Sequence, residues 1–255
     1  MITFAPNRRF GPLEWEEGGL VLFDYNCQVD APAITPNKRM ALFAARKMLP
    51  EYVFDTAQLE KNPITFPEVQ TLIDGISIGG RRVEDVQQVL NIRDAWSMLL
   101  RSISGDTFVV NKEMFHAVNA LIAREESLEW GVFRTGSVGI AGTEHYEAPP
   151  WQELEAIFDQ EVGVILDCDN TIERAIRVFL WGALNQFYWD GNRRTARLMA
   201  NGTLIDKGYG VFNIKAKDIL EFNTLMLELY DTRKADRIML FLAEKCIWLI
   251  EPIIL

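Results

Sequence analysis

Apolar residues recur at helical spacing over most of the chain and alternate over only one short stretch. From Asn170 onward, Ile172, Ala175, Ile176, Phe179, Leu180, Ala183, Leu184 and Phe187 keep the 3.6-residue period through four turns, which predicts a core helix. Asn170 with Glu173 three residues on reads as its capping box. Trp189-Asp190-Gly191-Asn192 breaks this helix, and a second restarts near Arg194 and runs to Gly208. Upstream, the period predicts helices over Asn37 to Leu49, with Met40, Ala41, Phe43, Ala44 and Met48 on one side, and over Phe66 to Asp74, Arg82 to Ile103 and Asn111 to Arg124. Downstream it predicts Ala216 to Tyr230 and Lys234 to Ile250, the last as a buried C-terminal helix. Between Phe133 and Pro150, Thr135, Val138, Ile140, Thr143 and Tyr146 stand among glycines and stop at Pro149-Pro150, the pattern of a short hairpin. The expected fold class is therefore mainly α with one β-hairpin.

Composition narrows the function. With 255 residues, 49% hydrophobic, the chain can bury one large core or two modest ones. A net charge of -10 repels polyanions, so neither nucleic acid nor an anionic membrane is an expected partner. Cys27, Cys168 and Cys246 are odd in number and far apart, which fits neither a disulfide framework nor a zinc site and points to a reducing compartment. The N-terminal MITFAPNRRFGPLEWEEGG lacks the apolar stretch of a signal peptide, and the apolar segment from Ile238 is broken by Glu244, Lys245, Glu251 and Pro252. A soluble, cytoplasmic protein is expected; no repeat or long linker marks a domain boundary.

Positive charge is nonetheless concentrated in one place, QFYWDGNRRTAR, Gln186 to Arg197. A helix, a tight Asp-Gly-Asn break and a new helix leave backbone N–H groups and a favourable dipole at the second N-terminus, where an anion can sit. Gly191 permits a positive φ, and the amides after it can form a concave nest. Arg194 and Arg197, three apart, share one helix face and can grip a polyphosphate, and Asp190 can hold Mg²⁺ that bridges phosphates. The plainer alternative is a helix-capping turn whose arginines pair with surface carboxylates.

The stretch resembles the Fic family signature, His-Pro-Phe-x-Asp/Glu-Gly-Asn-Gly/Lys-Arg-x-x-Arg, whose proteins typically transfer AMP from ATP to a protein hydroxyl. Asp190, Gly191, Asn192, Arg194 and Arg197 match it; Gln186, Phe187, Tyr188 and Arg193 depart from it. GVFRTGSVGI (Gly131 to Ile140) and HYEAPP (His145 to Pro150) resemble the family's strand and flap, and Gly80 to Leu100 resembles an earlier core helix, so the likeness covers roughly Asp55 to Leu242. It implies a Fic-type helical bundle with a β-hairpin flap: an N-terminal region over 1–79 and a Fic-like core over 80–255, with a flap at 138–148 and a motif loop at 186–197. It also implies ATP and Mg²⁺ as ligands, with Asp190 on the metal at the α and β phosphates, Gly191 and Asn192 forming the anion nest, Arg194 on the γ or β phosphate, Arg197 as the second arginine, and Arg193 among the nucleotide-binding residues. The flap would hold an extended segment of a target protein by strand addition. Self-association is left open.

Three departures bear on activity. Position 186, where the family has its proton-accepting histidine, is a glutamine, whose amide has no useful basicity. Loss of a positioned base lowers rate by roughly 10²–10⁴-fold, while binding can survive it. Of the two histidines present, His116 reads as a core or surface residue, and His145, in the flap, is the alternative acceptor. Arg193 stands where AMP-transferring members have Gly and the related Doc phosphotransferases have Lys. Upstream, Thr56-x-x-x-Glu60 resembles the inhibitory helix motif Ser/Thr-x-x-x-Glu-Gly/Asn, expected near 55–61, with Lys61 in place of Gly or Asn. By that likeness Glu60 would pair with Arg197 and obstruct the γ-phosphate. The two readings are a Fic-type adenylyltransferase with weakened or lost activity, and a non-catalytic nucleotide-binding or protein-interaction module; a Doc-like phosphotransferase is the further alternative.

Overall fold

The computed structural model describes residues 23–250. Among these residues there are ten α-helices: α1 Lys38–Lys47, α2 Leu49–Leu59, α3 Phe66–Ile73, α4 Val83–Ser104, α5 Lys112–Ile122, α6 Leu154–Leu166, α7 Thr171–Asn185, α8 Asn192–Asp206, α9 Ile219–Thr232 and α10 Asp236–Phe241. Two short strands, β1 Gly210–Phe212 and β2 Ile247–Leu249, pair antiparallel with Val211 opposite Trp248. The architecture is mainly α, as the hydrophobic period indicates.

The centre is the α7–α8 pair. Gly182 makes its close approach possible, because a Cβ there would stand 2.8 Å from the Ala196 Cβ. Residues 175–185 of α7 and 194–205 of α8 are buried all round, since α1, α4, α5 and α6 close over them. Asn170 caps α7 by accepting from the N–H groups of Ile172 and Glu173, but the capping box is not completed, because the Glu173 carboxylate accepts from the Tyr25 hydroxyl at 2.6 Å. The N-terminal helices join the same core, with Tyr52 of α2 stacked on Trp96 of α4 at 5.4 Å.

Four elements differ from the sequence pattern. α1 buries Ala41, Leu42 and Ala45 and leaves Phe43 exposed, so its inner face is rotated from the expected one. α6, with Gly163 inside it, gave no clear period. The expected C-terminal helix ends in a π-helical turn at Leu242–Cys246, after which β-branched and aromatic residues pair with β1 instead. The segment 133–150 reverses direction without a strand ladder. Among the described residues it has no neighbouring strand, and side chains satisfy part of its backbone: Asp231 of α9 accepts from the N–H groups of Glu144 and His145, each at 2.9 Å, and Thr143 donates to the Ile140 carbonyl. Among the described residues no helix is long and apolar enough to cross a membrane. The N-terminal stretch read for a signal peptide and the last five residues of the apolar tail lie outside the described residues.

Candidate functional site

The break between α7 and α8 is built by amides. α7 stops at Asn185 because Gln186 takes a left-handed conformation, φ 47°, that the helix cannot continue. The Asn192 side chain then accepts from the Tyr188 N–H and donates to the Tyr188 carbonyl, both at 2.8 Å, closing the loop on itself. From outside, buried Asn119 of α5 donates to the Asp190 carbonyl and to Thr195 Oγ1 and accepts from the Gly131 N–H. Gly191, at φ 73°, lies so close to α5 that a Cβ would stand 2.8 Å from Ile122 Cγ2. The loop is thereby fixed and α8 starts without a side-chain cap. The N–H groups of Asn192, Arg193 and Arg194 are left with no partner among the described residues and carry the positive end of the helix dipole. Asn192 thus contributes to the nest through its backbone, its side chain being committed to the loop.

Over this N-terminus opens a cleft of about 630 Å³. Its walls are the end of α2 with Glu60 and Lys61, the flap residues Val138 to Ala141, Trp189 to Arg194 of the loop and α8, and Asn223, Met226, Leu227 and Tyr230 of α9. The size suits a small organic anion, and the polar groups converge at one end. Gln186 lines it too, with both ends of its amide engaged: Nε2 donates to the Ala183 carbonyl at 2.7 Å and Oε1 accepts from Asn192 Nδ2 at 3.1 Å, leaving one N–H and one lone pair over. Its carbonyl accepts from Arg134 Nε at 2.6 Å. Arg134 is 2% exposed and also donates to the carbonyls of Gly136 and Pro149, so one guanidinium ties both ends of the flap to position 186.

The arginines are placed unequally. Arg194, 3% exposed, meets Glu126 at 2.8 Å, Asp190 at 3.4 Å and Glu60 at 3.8 Å. Burial pulls its pKa down, but the carboxylates of Glu60, Glu126 and Asp190 more than offset this and hold it above its ordinary value. Glu126 is itself held by Gln88 and Asn91. Arg197 does not line the cleft; it closes a small space with Thr56 and Asn213 behind Arg194. The expected Glu60–Arg197 ion pair is therefore replaced: Glu60, one residue past the end of α2, reaches Arg194, which stands nearer the helix start and the cleft. Lys61 has φ 59°, the left-handed position where Gly or Asn is at ease. Asn62, donating to the Asp85 carbonyl and Gln88, ties this corner to α4.

Asp190 is half exposed in the cleft, and only its Oδ1 is engaged, by the Gly191 N–H and Arg194. Among the described residues no group of three acidic, histidine or cysteine side chains surrounds it. Its donor set fits Mg²⁺ that arrives on phosphates, and does not make a metal site alone. His116 is not in the cleft; its Nδ1 lies 3.1 Å from the Tyr188 hydroxyl, and burial lowers its pKa. His145 is exposed on the flap and does not line the cleft. Tyr230 does line it: it is 2% exposed, its hydroxyl has no hydrogen-bond partner, and burial pushes its pKa up to about 12. Arg134, Asn119, Glu126 and Tyr230 were invisible as site residues in the sequence, because single polar residues on helices (Asn119, Tyr230) or in loops (Arg134, Glu126) leave no periodic signal.

No known family's profile matches the chain. It is similar to the protein adenylyltransferase Fic of Drosophila mojavensis, 20% identical over 167 residues, which is 62% of this chain and 32% of that protein. Among solved structures, residues 134–508 of Fic-1 from C. elegans superpose with a TM-score of 0.67 at 20% identity, covering 79% of this chain and 62% of that one. A Fic-domain-containing signalling protein from Bacteroides thetaiotaomicron gives 0.64 at 16%, covering 76% of each. A Fic family protein from Desulfovibrio desulfuricans gives 0.63 at 16%, covering 81% of this chain and 62% of that one. The chain is a Fic-fold protein, and it spans about a third of the length of the curated relative.

Proposed function

We propose that the chain is a Fic-type nucleotide-binding protein. It holds a nucleoside triphosphate in the cleft above α8, and its capacity for AMP transfer is weakened or lost because position 186 offers an amide where a base is needed. The observation that carries this is the placement of the cleft directly over three unpartnered N–H groups of α8, in the fold of a protein adenylyltransferase. The phosphates lie at that N-terminus, with Arg193 and, once freed from its carboxylates, Arg194 on their oxygens. The base and ribose lie against Asn223, Met226 and Tyr230, where the buried Tyr230 hydroxyl gains the partner it lacks. Where the nucleotide brings Mg²⁺ with it, Asp190 is the residue that would hold the ion. The Gln186 amide can orient a hydroxyl but cannot take its proton. The flap presents unpaired backbone from Ser137 to Gly139 to an extended segment of a target protein, while Asp231 and Arg134 hold its other side.

Calorimetric titration of ATP into wild type and Glu60→Gly tests the reading, with Asn223→Trp as the control that fills the partly exposed cleft wall. Binding to at least one of the first two, lost in Asn223→Trp, is expected. No binding to either, or binding indifferent to Asn223→Trp, would overturn it.

A further inference from the structure

Two cations face this cleft without a counter-ion. Among the described residues neither Lys61 nor Arg193 has a carboxylate within ion-pair distance, although the protein carries a net charge of -10 and nearly every neighbouring arginine is paired or shielded. Lys61 also occupies a backbone conformation that disfavours it, so its charge is kept at a conformational cost. The same cleft holds the unpartnered Tyr230 hydroxyl, 2% exposed, which independently marks it as a ligand site. On the acidic side, Asp190 stands alone as a candidate metal ligand and shares its one engaged oxygen with Arg194.

We propose that this site binds its nucleoside triphosphate as the free anion, with Arg193 and Lys61 supplying the charge neutralisation that Mg²⁺ would otherwise supply. The proposal rests on the nucleotide-binding reading above and names the ionic form of its ligand. The physical reason is that attraction to fixed cations scales with ligand charge, and free ATP carries about four negative charges against about two for the magnesium complex. Two unpaired cations at a cleft mouth therefore favour the free form, whereas a site dependent on one carboxylate and a metal favours the complex. Asp190 adds repulsion for the free anion, and its half-exposed position screens that term.

The experiment is calorimetry with ATP in excess EDTA and again in excess Mg²⁺, at one ionic strength, on wild type, Glu60→Gly and the double variant Arg193→Ala with Lys61→Asn. Wild type or Glu60→Gly should bind free ATP at least as tightly as the magnesium complex. In the double variant, free ATP should weaken by about tenfold and the complex by about threefold, the square root expected from half the charge. Binding by wild type and Glu60→Gly only when Mg²⁺ is present would overturn this proposal and leave the nucleotide reading standing. Absence of binding in both conditions would overturn both. The comparison of the two titrations needs no variant, so it decides the question even if the double variant fails to fold.

Discussion

Arg197 is buried at a cost that a single substitution should reveal. It is 7% exposed, has no carboxylate within ion-pair distance, and its Nη2 has no hydrogen-bond partner. Burial lowers its pKa well below the ordinary arginine range, to about 10; Glu60 opposes the shift, and Arg193 and Arg194 reinforce it. A depression of this size corresponds to roughly 3 kcal/mol against the charged folded state. Methionine fills much of the same volume without the charge, so after some loss of packing Arg197→Met should raise the free energy of unfolding by about 1–3 kcal/mol. Chemical unfolding at neutral pH, followed by circular dichroism, measures it. Because the folded pKa is depressed, the penalty is present in full wherever both states are protonated and shrinks once the folded state releases its proton first. The gain over wild type should thus be flat from about pH 6 to about pH 9 and narrow as pH rises through about 10. A variant less stable than wild type at pH 7 would refute the reasoning.

Three further outcomes are expected. Glu60→Gly removes a carboxylate 3.8 Å from Arg194, a pair whose Coulomb energy is about 4 kcal/mol before solvent screening, and should tighten ATP about tenfold and ADP less; equal tightening in calorimetry would place Glu60 away from the terminal phosphate. Lys61→Asn relieves a left-handed non-glycine residue and should raise stability by about 1 kcal/mol, or 2–4 °C in a thermal melt, while weakening free ATP; a lower melting temperature would contradict it. Gln186→His with Glu60→Gly restores a base in a conformation histidine tolerates and should raise label transfer from α-labelled ATP about 10²-fold or more over Glu60→Gly alone. Transfer of γ-label instead would favour the Doc-like alternative, and transfer of neither by a variant that binds ATP would favour the interaction module.

The site was legible where chemistry depends on local order in the chain. The Asp190-Gly191-Asn192 turn does start α8, Gly191 does take a positive φ, and the two helices are the buried centre that their apolar period requires, but α7 ends earlier than the turn, at a left-handed Gln186. The placement of Glu60 beside the loop could be expected from the likeness, but its partner could not. Arg194 and Arg197 share a helix face, and only packing decides that one opens to the cleft while the other is sealed behind it. The flap and the C-terminus were misread for one reason. Whether an alternating segment becomes a strand depends on a neighbour to pair with: Ile247–Leu249 finds β1, and 133–150 finds the side chains of Arg134 and Asp231. Phe43 lies outside because α1, packed on α8 and α4, turns Ala41, Leu42 and Ala45 inward instead.

The central claim is that a triphosphate sits on the start of α8. A crystal structure of Glu60→Gly grown with saturating ATP tests it most directly. The account predicts phosphate oxygens within hydrogen-bond reach of the Asn192, Arg193 and Arg194 N–H groups, with the Tyr230 hydroxyl on the nucleoside. Nucleotide bound elsewhere on the protein, or a cleft that stays without nucleotide at saturation, would contradict it.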